Sequence, residues 1–219
     1  MKASTIAATA ALLICSTSAR AVSKRQSGGT FGTIDSVAIK NAVLAWQSDT
    51  GAVSNFLNFG VDNAAANADD IDGTFRTEAS SAHGSEVDEL NHKLILDQQL
   101  CAGGQSISNP VCGTICSPDA NGVEQCSTAL HDANDTLVAQ GTFQSVVDLL
   151  QDMADNGFAQ NGDISEINNG HDGIGGRCNA VLPAIDTYFA QAAALLVSEF
   201  NDHSIDGMTA VRPAACSSS

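Results

Sequence analysis

Basic residues are scarce in this sequence. Only 9 lysines and arginines accompany 25 aspartates and glutamates, which gives a net charge of −16. Because nucleic acids and anionic membrane surfaces are bound through basic faces, we expect neither as a partner. The acidic residues are scattered rather than collected in blocks. Such scatter is typical of a solvated surface that keeps a protein soluble through charge repulsion.

The sequence also lacks the common catalytic motifs. It contains no G-x-S-x-G nucleophile elbow, no H-E-x-x-H zinc motif and no P-loop. His83, His131 and His203 have no identifiable nucleophile to activate. We therefore expect no enzymatic activity and no cofactor.

Strand-like patterns and internal repeats are rare as well, whereas helical periodicity is frequent. Apolar residues recur at spacings of three and four along much of the chain, and Thr33 or Asp35 can cap the first helix. The clearest helical segments are 34–57, 87–100, 127–140, 142–153 and 177–203, with a less regular one at 61–77. This pattern predicts an all-α, up-and-down bundle of about five helices.

Local signals predict several helix boundaries. Gly51 interrupts the first apolar stripe and predicts a kink. Ser85-Glu86-Val87-Asp88 resembles a capping box and predicts a helix start. Asn156-Gly157 predicts a helix end, and Pro183 predicts a late start or a kink in the last helix.

The first 25 residues have the pattern of a processed leader. Residues 1–21 combine a basic start, a short apolar run and small residues before a cleavage position after Ala21, as in secretory signal peptides. Residues 22–25 form a pro-segment that ends in the dibasic pair Lys24-Arg25, which is typical of Kex2-type processing sites. The apolar run is shorter than the about 20 residues that cross a bilayer. We therefore expect an extracellular, secreted protein.

The processed chain is expected to form one domain. A flexible Gly/Ser-rich leader at 26–32 precedes a single helical domain at 33–216, which contains a Cys-rich insert at 101–126 between the central helices. This chain has five basic and 25 acidic residues, a net charge of −20. We expect no membrane span in it, and no GPI anchor, because its C-terminus lacks a hydrophobic tail.

The cysteines predict a disulfide framework. After Cys15 leaves with the signal peptide, six remain: Cys101, Cys112, Cys116, Cys126, Cys178 and Cys216. An even number in a secreted chain favours three disulfides without specifying their connectivity. Two bridges inside the insert, or one from the insert to Cys178, are both compatible with the spacing. Cys216 is expected to tie down the C-terminal tail. The absence of a C-x2-C pair disfavours zinc.

Two further sites have recognisable patterns. Glu89-x-x-His92 places a carboxylate and an imidazole on one helix face, as in di-metal carboxylate bundles. Those bundles need a second such pair, which this chain lacks, so we expect no metal and keep Glu89 and His92 only as candidate ligands beside the alternative of solvated surface groups. Asn134 begins the only N-glycosylation sequon and requires an exposed face if it carries a glycan.

Four stretches resemble a group of uncharacterised small secreted proteins of filamentous ascomycete fungi. They are AVLAWQSDTGAVSNFLN (42–58), VDELNHKLILDQQL (87–100), NDTLVAQGTFQSVVDLLQDM (134–153) and RCNAVLPAIDTYF (177–189). The helical pattern is more loosely similar to the hydrophobic-surface-binding and cell-wall galactomannoprotein family, whose members are helical bundles that bind apolar surfaces or lipids. The six-cysteine pattern departs from that family.

These observations predict a non-catalytic, disulfide-stabilised helical protein that acts at the fungal cell wall or the host interface, as an effector or elicitor. Its partner is then an unidentified host or wall component. A carrier of a lipid or another apolar ligand is an alternative, and a metal-dependent enzyme through Glu89 and His92 is another. The residues expected to line the carrier's site, or else to form plain core, are Phe56, Leu57, Phe143, Leu150, Phe189 and Phe200.

Overall fold

The computed structural model describes residues 34–63, 68–100, 128–157, 161–171 and 173–218. All of them belong to one compact unit, Phe31–Ser219. The proposed leader and the Cys-rich insert lie outside the described residues, so the assignments made there stay predictions. They concern Ala21, Lys24, Arg25, Cys101, Cys112, Cys116 and Cys126.

Helices make up most of the described chain, which confirms the predicted all-α bundle. Two π-helical turns cover Asp135–Ala139 and Arg177–Val181. A two-stranded antiparallel hairpin pairs β1 (Gly170–His171) with β2 (Ile174–Gly175), and a 3-10 turn covers Ala214–Ser218. The α-helices are α1 Ser36–Asn63, α2 Ala68–Leu100, α3 Thr128–Asn134, α4 Thr142–Asn156, α5 Asn161–Asn169 and α6 Leu182–Phe200.

The two long helices α1 and α2 pack antiparallel. The backbone N–H of Asp35, just before α1, donates to Gln99 Oε1 near the end of α2 at 2.8 Å. At the opposite end of the pair, the ring centroids of Phe56 and Phe75 are 5.3 Å apart. Asp35 also caps α1, because its Oδ1 accepts hydrogen bonds from two backbone N–H groups of the first turn.

Helix α6 runs antiparallel to α1. Lys40 in the second turn of α1 pairs with Asp202, just after α6, at 2.8 Å. Trp46, halfway along α1, contacts the middle of α6, with its ring centroid 5.4 Å from that of Tyr188 and 5.8 Å from that of Phe189. The only tryptophan of the chain is therefore a core residue, as its position on the apolar stripe predicted.

Helix α2 has one continuous buried stripe in which spacings of four and three residues alternate. The predicted helix start at Ser85 is wrong, since α2 continues through Gly84 and Ser85. Burial on both sides of Ser85 outweighs the local capping signal, because tertiary packing overrides weak local preferences. The stripe consists of Phe75, Ala79, Ala82, Glu86, Glu89, Lys93 and Leu96.

Other boundaries follow the local signals more closely. α4 ends at Asn156 as expected, and Gly157 follows with a positive φ of 78°, although its ψ of −159° lies outside the αL region. Pro183 lies in the first turn of α6, so the regular helix starts late, after the π-helical turn. α1 is continuous through Gly51, which faces Val211 of the C-terminal tail, and the kink expected there stays a prediction.

Most of the proposed ligand-lining residues are packed in the core. Five of the six are at most 3% exposed and belong to one hydrophobic cluster, whereas Phe200 is 44% exposed at the end of α6. Phe200 is not part of that cluster. The buried five are Phe56, Leu57, Phe143, Leu150 and Phe189.

One helical segment, Arg177–Phe200, is long and apolar enough to cross a membrane by length and composition, contrary to the sequence expectation. Half of its most apolar stretch is buried inside the bundle. A core helix meets the same composition criterion as a membrane span, so this segment is explained by its packing.

The C-terminal tail, residues 201–216, returns along α1. Gln47 Nε2 donates to Thr209 O at 2.8 Å, and Ser54 Oγ donates to Val211 O at 2.8 Å. A disulfide between Cys178 and Cys216 closes the end of the tail. Cys216 thus ties down the tail as predicted. The partner of Cys178 is Cys216 rather than a cysteine of the insert.

Candidate functional site

A buried charged cluster lies at the centre of the bundle and consists of Glu86, Glu89 and Arg177. The two glutamates lie one turn apart on the buried stripe of α2, and Arg177 begins the π-helical turn before α6. All three side chains are fully buried. Arg177 Nη1 donates to Glu86 Oε2 and lies 3.4 Å from Glu89 Oε1. One cation therefore faces two carboxyl groups without access to water.

Neighbouring groups satisfy part of this cluster. Trp46 Nε1–H donates to Glu89 Oε2 at 2.9 Å, and Arg177 Nη2 lies 3.5 Å from the carbonyl oxygen of Thr50. Glu86 Oε1 and Arg177 Nε have no hydrogen-bond partner among the described residues. Burial without full pairing is costly for polar groups, so the cluster penalises any fold that fails to bring α1, α2 and the π-helical turn together.

The surroundings of the carboxyl pair favour its protonated form. Burial raises the pKa of Glu89 well above its usual range, and the negative charge of Glu86 raises it further. Burial also raises the pKa of Glu86, although Arg177 opposes that shift. Two adjacent carboxylates opposite one guanidinium favour a shared proton, which leaves one carboxylate to balance one cation.

A second buried polar group lies one turn further along α2. Lys93 Nζ donates to Asp97 Oδ2 at 2.8 Å, and the Tyr188 hydroxyl donates to Asp97 Oδ1 at 2.9 Å. Burial raises the pKa of Asp97, and the Lys93 ammonium opposes that shift. Hence the last two turns of α2 contact α6 through a charged group as well as apolar ones.

His92 belongs to a different group, the His92 triad, which comprises Asp49, Asp88 and His92. His92 Nε2 lies 3.0 Å from Asp49 Oδ2 and 3.5 Å from Asp88 Oδ2. The side chains of His92 and Asp49 are 15% and 20% exposed, and that of Asp88 is 53% exposed. Burial raises the pKa of Asp49, while the nearby His92 opposes the shift. The triad therefore lies at the edge of the α1–α2 contact, within reach of solvent.

The structure separates the two candidate ligands Glu89 and His92. A step of three residues turns about 60° around a helix axis, which here places Glu89 on the core side of the α1–α2 contact and His92 at its rim. Glu89 contacts Arg177 and Trp46, whereas His92 contacts Asp49 and Asp88. Glu89 and His92 therefore do not share a site, and the group of side chains that could hold a metal ion is Asp49, Asp88 and His92.

The proposed glycosylation site needs a correction. Asn134, at the end of α3, is only 4% exposed, and its Oδ1 has no hydrogen-bond partner among the described residues. A glycan on its amide would need the exposed face that this position lacks. The sequon identifies the acceptor sequence, but the packing of α3 decides whether its amide faces water.

Sequence reasoning missed Glu86, Arg177, Asp49 and Asp88 as site residues. A signal for the first was present, because Glu86 and Glu89 continue the four-three spacing of the apolar stripe of α2. Arg177 was visible as one of the few basic residues, placed directly before an apolar helix. Asp49 carried no such signal, since its role depends on the packing of α1 against α2.

The described part of the chain is a helical bundle with a buried charged cluster at its centre and a C-terminal tail that is closed by a disulfide. A scan against protein-family models and searches of curated proteins and solved structures found nothing that matches this chain. The resemblance to fungal small secreted proteins therefore stays a prediction drawn from the sequence.

Proposed function

We propose that this chain is a secreted, disulfide-stabilised helical protein without catalytic activity, which acts at the fungal cell surface or the host interface as an effector or elicitor. The observation that supports this proposal best is the burial of the central ionisable groups. Glu86, Glu89 and Arg177 are fully buried and contact one another, whereas a catalytic acid or base must reach a substrate.

The cluster is better suited to specifying one fold than to chemistry. Buried charges contribute little net stability against apolar replacements, but an unpaired one is strongly unfavourable, so they disfavour alternative packings. The Cys178–Cys216 disulfide adds a covalent constraint of the kind that secreted proteins use. Both features support a stable extracellular protein that functions through its outer surface.

The two alternatives have less support. Five of the six residues expected to line a carrier's site are packed in the hydrophobic core. Glu89 and His92, the residues expected to serve a metal-dependent enzyme, face different environments. We therefore propose neither.

The test starts with localisation in a filamentous ascomycete that produces the chain with its own leader. We expect the protein in the culture filtrate or the wall fraction, with its N-terminus at Gln26. The matched control is the double variant Lys24→Ala/Arg25→Ala, which should be secreted with a longer N-terminus. Retention of the wild-type chain inside the cells would contradict secretion.

The functional arm compares a deletion strain with strains complemented by the full chain or by a chain that lacks residues 1–21. We expect deletion to alter wall properties or host colonisation, and only the chain with its leader to restore them. If deletion leaves both phenotypes unchanged, the proposed role is wrong. Native mass spectrometry of the secreted protein provides an independent check, since a bound lipid lost on denaturation would instead favour the carrier.

A further inference from the structure

The His92 triad has the composition and spacing of a cation site. Its ligand atoms are two carboxylate oxygens and one imidazole nitrogen, and all three lie within 4.8 Å of one another. Zinc bound at about 2.0–2.2 Å in tetrahedral geometry places neighbouring ligand atoms roughly 3.3–3.5 Å apart. The separations of 3.0 and 3.5 Å between His92 Nε2 and the two carboxylates are close to that spacing. We propose that Asp49, Asp88 and His92 bind a divalent transition-metal cation, with Zn²⁺ as the best fit.

The hydrogen-bonding capacity of His92 supports this proposal. A single Nε2–H can donate one good hydrogen bond, yet two carboxylate oxygens face this nitrogen. A cation in place of the proton satisfies both carboxylates at once. Imidazole and carboxylate together are a ligand set that suits zinc and its neighbours in the first transition row.

The carboxyl groups of the triad lack a lysine or arginine partner among the described residues. Asp49 and Asp88 both contact His92, and Asn91 Nδ2 donates to Asp88 Oδ1 at 2.7 Å. A bound cation would offset the negative potential of these two carboxylates.

Nearby basic groups do not compete for this negative potential. Lys93, the residue after His92, pairs with Asp97 at 2.8 Å. Arg177 contacts Glu86 and Glu89. Both cations are therefore already balanced by carboxyl groups of α2.

Helix packing also holds the ligands in place. Asp88 and His92 lie one turn apart on α2, and Asp49 projects from α1. The hydrogen bond between Trp46 and Glu89, each three residues from a ligand, ties the two helices together at this level. Ligands on rigid, packed helices lose little conformational freedom on binding. Three protein ligands leave a fourth position for water, as in open zinc sites.

The experiment titrates the processed, disulfide-bonded chain with zinc chloride after treatment with a chelator, and follows heat and native mass. We expect one Zn²⁺ per chain at this site. Replacement of a ligand, as His92→Gln or Asp49→Asn, should weaken binding at least tenfold. Cobalt(II) gives a second readout, because tetrahedral coordination produces an intense visible absorption that His92→Gln should abolish.

The matched control is His203→Gln. His203 also pairs with an aspartate, Asp206, but on the exposed segment after α6 and outside the triad. We expect its affinity for Zn²⁺ to equal that of the wild type. Asp88→Asn keeps the test usable if a more buried variant fails to fold, because the Asp88 side chain is half exposed. An affinity unchanged in both His92→Gln and Asp88→Asn, or no binding by the wild type, would overturn the proposal.

Discussion

Glu89 lies in a water-free environment at the centre of the bundle. It is fully buried beside a second glutamate, and burial raises its pKa well above the usual range. Folded Glu89 therefore holds a proton at pH values where an unfolded glutamate has lost it. The associated stability is complete below about pH 4.3, the ordinary glutamate pKa, and is lost as the pH rises through the raised folded value.

We expect the free energy of unfolding to fall as the pH rises from mildly acidic toward neutral. Glu89→Gln, which mimics the protonated acid, should flatten this decline. Urea unfolding at a series of pH values, with a chelator to exclude metal binding at the neighbouring Asp88, measures both profiles. Exposed Glu78 supplies the control, since Glu78→Gln should follow the wild-type profile. A Glu89→Gln profile as steep as the wild type would contradict the assignment of the proton.

Arg177 is the only cation in contact with Glu86 and Glu89 among the described residues. Arg177→Met keeps much of the side-chain volume but leaves the carboxyl pair without its counter-charge. We expect a loss of about 3–5 kcal/mol in the free energy of unfolding near neutral pH. The loss should shrink in acid, where both carboxyl groups accept protons.

Chemical denaturation of the Arg177→Met variant at neutral and acidic pH tests this expectation. Arg212→Met is the appropriate comparison, because Arg212 pairs with Asp186 where its side chain is one-third exposed. Exposed pairs contribute about 0–1 kcal/mol. If the free energy of unfolding falls equally in the two variants, removing a cation from the buried cluster is no more destabilising than removing one from an exposed ion pair.

Among the structural elements, the C-terminal tail depends most on a single bond. The Cys178–Cys216 disulfide joins the π-helical turn before α6 to the tail across 38 residues. In the loop-entropy description, a closure of that length stabilises the fold by about 4 kcal/mol. We expect the double variant Cys178→Ser/Cys216→Ser to lose stability of that order.

Hydrogen exchange shows which part of the fold is destabilised when the disulfide is removed. In the double-serine variant, the backbone N–H of Val211, which donates to Thr50 Oγ1, and that of Ala214, which donates to Asn58 Oδ1, should exchange faster than in the wild type. The α4 amides, which are distant in sequence from both cysteines, serve as the internal reference. Unchanged protection of the tail would mean that its hydrogen bonds to α1 hold it without the disulfide.

At the scale of the whole molecule, the excess of acidic over basic residues is the main electrostatic feature. The chain has nine basic and 25 acidic residues, so long-range repulsion acts on the folded state at neutral pH. Salt screens such repulsion between exposed groups over roughly 10 Å at 0.1 M. We therefore expect the melting temperature at neutral pH to rise by a few degrees as sodium chloride increases from low to physiological ionic strength.

The same salt series near the sequence pI of about 4.3 is the control. There the net charge is small, so salt should change the melting temperature little. A fall in melting temperature with salt at neutral pH would show that specific ion pairs outweigh the net repulsion. All samples contain the same chelator, so that metal binding does not vary along the series.

The sequence by itself determined the features that depend on near neighbours in the chain. The apolar stripe of α4, the helix end at Gly157 and the late start of α6, with Pro183 in its first turn, all follow from local spacing and backbone chemistry. The secondary-structure class was predictable because a helix needs only its own periodicity to be recognised. Trp46 was also placed correctly, since an aromatic residue on an apolar stripe belongs to the core.

Only the tertiary structure decided which groups meet. The unbroken course of α2 through Ser85, the pairing of Cys178 with Cys216 and the burial of Asn134 each depend on an element distant in sequence. The same holds for the different partners of Glu89 and His92, because α1 supplies Trp46 to Glu89 and Asp49 to His92. Local patterns specify which face of a helix is apolar. The partner of that face is determined by burial and charge balance, because both act between residues that are far apart in the chain.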